Sequence, residues 1–272
     1  MKTAADVPVG LAAPPFDDPA ALRAACRAGR FDGLTAGHAP GRVQANLMAV
    51  PKAWAYDFAV FCQRNPKPCP LLDITDPGDP APRALAPDAD LRSDLPRYRV
   101  FRDGEFTEQR TDVRDLWRDD MVGFLIGCSY SFEDALARAG LPLRHLDEGV
   151  NVPMYRTNRA CAPAGGFSGP MVVSMRPMTP EQAARAVDVT RPYRRVHGAP
   201  VQLGDPAAIG IADLDAPDYG DPVTVRAGEV PVFWACGVTP QAVVLAARPE
   251  IAISHAPGHM FVSDLESAAL LE

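Results

Sequence analysis

Lysine is nearly absent from this sequence: three of its 27 basic residues are lysines and the rest are arginines. Aromatic residues are also few, at 7% of 272 positions. No apolar run is long enough to cross a bilayer, and the start MKTAADVPVG lacks the apolar core of an export signal. With a net charge of -7 the chain has no clustered cations for a phosphate backbone or an anionic membrane, which argues against nucleic-acid and membrane partners. A cytoplasmic location is the expectation, and six cysteines there read as reduced thiols. Cys62 and Cys69, separated by QRNPKP, match no familiar metal-ligand spacing.

What is present is an ordinary globular composition, 47% hydrophobic and 22% charged, in a length that suits one large domain or two modest ones. The 29 prolines are scattered and punctuate short elements. Asp18 to Gly29 carries an N-capping aspartate, an alanine-rich body and a closing glycine, and is a helix. Val43 to Val50 is an apolar strand, after which Pro51 opens a helix. Arg97 to Glu108 places Asp-Gly between two alternating runs and predicts a hairpin. Val122 to Gly127, Met171 to Met175, Pro200 to Leu203, Asp221 to Arg226, Val230 to Ala235 and Ile251 to Ser254 read as further strands. A helix over Pro180 to Val189 makes a β-α-β unit with its neighbours, and the alternation as a whole indicates α/β layering.

One pattern occurs twice. VGFLIGCSYSFEDALARAG and VPVFWACGVTPQAVVLAARPE each run from an apolar strand to a cysteine (Cys128, Cys236), then to small residues and a helix cap (Ser131, Thr239). Ser131 with Asp134 resembles a capping box, and Pro240 follows Thr239. Thiols at strand ends beside helix N-termini would be biased towards thiolate and would face one cleft. The plainer reading is two buried cysteines filling tight turns.

Several longer strings resemble a hydro-lyase family that includes D-glutamate cyclase. They are QANLMAVPKAWAYDFAVFCQRNPKPCPLLD, LIGCSYSFEDAL, NVPMYRTN, GPMVVSMRP, HGAPVQLGDPAAIGIADL, VPVFWACGVTPQ and SHAPGHMFVSD, in order from about Gly37 to Asp264. The resemblance implies a three-layer α/β domain with a second, smaller two-layer α/β domain. The smaller part is placed at 161–226, inserted into a main domain of 1–160 and 227–272. It further implies a hydro-lyase acting on a small amino or hydroxy acid, cyclisation of D-glutamate to 5-oxo-D-proline with loss of water being the concrete case. It carries no residue-level assignment.

That chemistry needs a base near neutral pH, an acid, cation or metal to offset carboxylate charge, and an arginine for the other carboxylate. SHAPGHMFVSD offers His255 and His259 as proton-transfer groups and Asp264 to orient a ring. Pro257 and Gly258 forbid a continuous zinc-binding helix of the His-Glu-x-x-His kind; the sequence requires no cofactor, although a divalent metal across both histidines stays open. NVPMYRTN concentrates Asn151, Tyr155, Arg156 and Asn158, with Arg156 the first choice for the substrate carboxylate and Arg64 and Arg176 the second. Each arginine could equally sit in an ion pair. The partner expected is a small carboxylate, and a homo-oligomer stays open. Two rival readings are a cofactor-independent two-cysteine amino-acid racemase or epimerase, and a non-catalytic carboxylate-binding protein.

Overall fold

β1 (Arg42–Pro51) is the strand around which the fold is built. Its odd positions Val43, Ala45, Leu47 and Ala49 enter one core, and Met48 and Val50 enter a second core on the opposite face. A strand buried on both faces reads as a continuous apolar run, as this one does from Leu47 onward. The computed structural model describes residues 16–272; the start MKTAADVPVG, and with it the first residues of the expected larger domain, lies outside them.

Following β1, Pro51 occupies the cap position of α2 (Lys52–Arg64), whose Phe58 and Phe61 pack on the even face of β1 beside Phe124. Full burial of a phenylalanine is worth about 1.5–3 kcal/mol, so this aromatic group fixes α2 on the sheet. The larger sheet also contains β2 (Leu71–Ile74), β3 (Tyr98–Arg102), β4 (Glu105–Arg110), β5 (Met121–Gly127), β10 (Ala252–His255) and β11 (Phe261–Glu266). Its order is β2-β5-β1-β10-β3-β4, with β11 also paired to β1. The expected hairpin is present, with Asp103 and Gly104 both at positive φ (50° and 78°), the conformation that Asp-Gly supplies at low cost. On the outside, α1 (Pro19–Arg27) is capped by the Asp18 side chain and packs against β11 through Leu22 and Cys26.

The smaller sheet runs β6-β7-β9-β8, from β6 (Met154–Ala160), β7 (Pro170–Met178), β9 (Val230–Ala235) and β8 (Gln202–Leu203). It thus draws β6 from just before position 161 and β9 from just after position 226. The β-α-β connection of β7, α5 (Pro180–Thr190) and β8 is present, with β9 lying between the two strands and antiparallel to both. All paired strands of both sheets are antiparallel, so the molecule is mixed α/β without a parallel sheet. The strand expected over Asp221 to Arg226 does not form. The backbone N–H of Thr224 goes to the Glu148 carboxylate and its carbonyl accepts from Arg144, so side chains take the groups a ladder would use.

Among the described residues, no helix is long and apolar enough to cross a membrane.

Candidate active site

The two repeated cysteines come from different sheets to one place. Cys128 follows β5 and Cys236 follows β9, and both enter an apolar cluster with Tyr130, Val172, Val238 and Met260. The approach is tight: a Cβ on Gly237 would lie 2.0 Å from Asn46 Nδ2, so only glycine fits after Cys236. The expected caps are replaced by cross-ties. Ser131 lies inside a 3-10 turn (Ser129–Phe132), where its Oγ accepts from Gln44 N and donates to Gln44 O, pinning the turn to β1. Thr239 is the first residue of α6 (Thr239–Ala247); its Oγ1 accepts from Val172 N and donates to Cys236 O. The expected thiolate bias is overturned as well. Desolvation in the apolar cluster pushes Cys236 up to about 11 and Cys128 higher still, outweighing backbone N–H groups nearby.

Beside the cysteines lies a buried charge group. Arg176 of β7 is fully buried and donates through Nε to Glu133 Oε1 (3.0 Å), through Nη2 to the same oxygen and to Ser129 Oγ (3.0 Å), and through Nη1 to Ser174 Oγ (3.2 Å). Glu133 opens α3 (Glu133–Arg138), and His145 of α4 (Arg144–Asp147) places Nε2 3.1 Å from Glu133 Oε1. Burial alone would raise the Glu133 carboxyl, but His145 and Arg176 outweigh it and hold it at about 2. His145 stacks parallel to Tyr130, whose hydroxyl donates to Asn151 Oδ1 (3.0 Å).

Tyr130 and Glu133 also line a cavity of about 140 Å³, together with Gln44, His38, Arg42 and Leu146. Two of its lining residues carry buried oxygens with no hydrogen-bond partner among the described residues, Gln44 Oε1 and Glu133 Oε2. The orientation of Gln44 follows from its partners: Nε2 donates to the carbonyls of Thr35 (3.0 Å) and His38 (3.3 Å), which leaves Oε1 as the free end. His38 accepts from Phe16 N at Nδ1, and burial lowers its pKa, so its ring is neutral with the proton on Nε2. Cavities of roughly 150 Å³ take a benzene-sized guest, so this one has room for a small molecule of that size.

The histidine loop is tied to this wall from both sides. Thr35 N donates to Gly258 O, and Asn151 Nδ2 donates to Pro257 O (3.0 Å). His255 ends β10 fully buried, with Nδ1 3.1 Å from Leu47 O, and burial takes it down to about 4. The base near neutrality expected of it is therefore not found, because a charged ring would be stranded among apolar neighbours. His259 is better exposed; its Nδ1 lies 3.0 Å from Pro257 O, and burial lowers its pKa too. Asp264 orients neither ring. It pairs with Arg23 at 2.9 Å on β11.

The NVPMYRTN string divides between interior and surface, because it continues into a strand and alternates faces. Asn151 joins the site. Tyr155 is buried and donates to Leu214 O (2.7 Å). Arg156 lies on the outer face against the Tyr219 ring, donating to its hydroxyl (3.0 Å) with Asp218 3.8 Å away. Asn158 is exposed beside Gly210, and Arg64 donates to Pro163 O (2.5 Å) at the end of α2. The structure thus brings together Cys128, Cys236, Asn151 and Arg176 and leaves Arg64, Tyr155, Arg156 and Asn158 outside. The candidate site also contains Gln44, Tyr130, Glu133 and His145, which none of the motifs above singled out. The available signal was polarity inside apolar strings: Gln44 and Asn46 within a buried strand, and Tyr130 and Glu133 directly after one.

Among the described residues, no three His, Cys, Asp or Glu side chains are grouped to hold a metal ion.

A family model described as D-glutamate cyclase matches residues 122–264, which include Cys128, Glu133, His145, Arg176, Cys236 and His255. A protein of Stutzerimonas stutzeri is 63% identical over 252 residues, covering 93% of this chain and 95% of its own. One from Bordetella pertussis is 63% identical over 244 residues (90% and 88%), and one from Bacillus licheniformis 60% over 247 residues (91% and 94%). All three are provisionally named hydro-lyases.

Proposed function

The chain belongs to the D-glutamate cyclase family, and from that membership we propose that it is a hydro-lyase removing water from a small amino or hydroxy acid. The specific reading is cyclisation of D-glutamate to 5-oxo-D-proline. The observation that carries it is a pair of buried acceptors without a partner among the described residues, Gln44 Oε1 and Glu133 Oε2, on two residues that line one cavity. A buried oxygen without a donor costs about 1–3 kcal/mol, and more when charged, so this wall favours a guest rich in N–H. A substrate ammonium meets that demand.

In the cyclisation the nitrogen attacks the side-chain carboxylate, a C–N bond forms, and a C–O bond breaks. The two protons shed by the ammonium leave with the departing oxygen as water, so the site must move protons without consuming any. Glu133, held ionised, anchors the ammonium, with the His145 imidazole behind it on the same carboxylate. The Nε2–H of His38 and the Arg42 guanidinium offset negative charge on the carboxylates as the tetrahedral centre develops. Tyr130, tied to Asn151, fixes the inner wall. In this reading the two parts of the molecule are the bodies built on the two sheets, with Arg176 and Glu133 joining them.

The two-cysteine racemase has less support, since both thiols are held protonated in a dry cluster. The test is to incubate the purified chain with D- and L-amino acids and hydroxy acids and to follow loss or gain of one water by mass spectrometry. D-glutamate conversion that is abolished in Glu133→Gln supports the reading. A folded chain that dehydrates no member of the panel would overturn it, and ligand-induced stabilisation without turnover would leave a binding protein.

A further inference from the structure

A second depression lies behind the strand end that delivers Cys128. It is lined by Lys67, Arg191, Arg194 and His197, with no carboxylate among its lining residues, although the chain as a whole is acidic. Arg191 is engaged by Asp188 at 3.1 Å. Among the described residues, Lys67 and Arg194 have no acidic side chain within ion-pair distance. The adjoining depression, which shares Arg194, adds Arg195 and Glu272.

The depression is built rather than fortuitous. The loop carrying Lys67 and the turn carrying His197 are clamped twice, by His197 Nδ1 donating to Lys67 O (2.9 Å) and by Lys67 Nζ donating to Ala199 O (2.5 Å). The clamp holds His197 at φ 84°, a conformation a non-glycine side chain adopts only where its surroundings impose it. It also holds the Lys67 ammonium half-buried with a single carbonyl partner, and desolvation lowers its pKa. A half-buried cation so poorly compensated is a site prepared for an anion.

We propose that this depression binds a phosphate group, either inorganic phosphate or the phosphate of a small ester. The charge count favours phosphate over a simple carboxylate: the half-buried Lys67 and the exposed Arg194, neither with an acidic partner among the described residues, match a dianion, and the arginine fork and lysine point charge are complementary ways of holding its oxygens. Occupancy would be felt at the active site. Arg194 and Arg195 lie in the turn that leans on Gly127, where an added Cβ would come within 2.2 Å of Arg195 O, and Cys128 is the next residue. The ligand is therefore expected to modulate turnover rather than take part in it.

The experiment is calorimetric titration of the full chain with inorganic phosphate at constant ionic strength, read beside its melting temperature. Saturable binding is expected, weakened about tenfold or more by Arg194→Gln and by Lys67→Met, and little changed by Arg42→Met in the other cavity. If Lys67→Met fails to fold, Arg194→Gln alone decides. Absence of saturable binding overturns the proposal. So does binding that Arg42→Met removes and Arg194→Gln spares, because the phosphate would then occupy the first cavity. The readout is binding, so it stands whether or not the proposed dehydration is found.

Discussion

His145 Nε2 lies 3.1 Å from Glu133 Oε1, while the other oxygen of the same carboxylate has no partner among the described residues and belongs to a residue that lines the cavity. One carboxylate therefore meets an imidazole and a guanidinium through Oε1 and keeps Oε2 buried without a partner among the described residues. His145→Phe keeps the stack on Tyr130 but removes both ring nitrogens. Turnover is expected to fall by about 10²-fold or more, with KM moving little. Unchanged kcat in the folded variant would remove His145 from the proton path.

Arg176 and Glu133 form a buried pair, so breaking it from one side leaves a stranded charge. Arg176→Met alone should destabilise by about 3–5 kcal/mol, and combining it with Glu133→Gln should recover part of that loss. Urea denaturation of the two single variants and the double variant measures the coupling. Strict additivity would mean that the pair contributes nothing as a pair.

Stability should decline on acidification in two stages. His197 and His255 are buried neutral and fall from 6.5 to about 4 on folding. Between these values the unfolded chain binds more protons, so their contribution is full above about pH 6.5 and is lost as pH falls towards 4. It amounts to about 3 kcal/mol per ring. Glu133, depressed to about 2, adds stability present above its ordinary value of 4.5 and lost below it. Denaturation of wild type and His255→Asn between pH 7 and pH 4 checks the first stage. Equal pH slopes in the two proteins would assign the effect elsewhere.

Arginine choice separates the cavity from the outer face. Arg42→Met should raise KM by about tenfold or more through loss of a charged hydrogen bond. Arg156→Lys should leave kcat/KM nearly unchanged, since Arg156 faces Tyr219 and Asp218 on the outer surface of β6. Steady-state kinetics of both variants decides the matter. The opposite ranking would move the substrate to the depression beside Arg156, where Asp213 and Asp218 would have to tolerate a carboxylate.

Local chemistry was legible in the linear chain wherever neighbours in sequence set the outcome. Asp18 capping α1, Asp103-Gly104 closing the hairpin, and the apolar runs of β1, β5 and β9 each depend on residues a few positions apart, and each is found. The repeated strand-cysteine pattern also announced that Cys128 and Cys236 end strands. The chain could not announce their protonation, because that depends on which distant side chains exclude water from them. The site itself was decided by tertiary contacts. Glu133 reaches Arg176 across 43 residues, Ser131 pins Gln44 across 87, and His255 is sealed against Leu47 across 208. Burial turned two expected thiolates and an expected base into neutral groups, and it left Glu133 and Gln44, both lining the cavity, each with a buried oxygen that has no partner among the described residues. Sequence sets which groups are available, while the dielectric and the partners around each, which fix its charge and reach, come only from the folded chain.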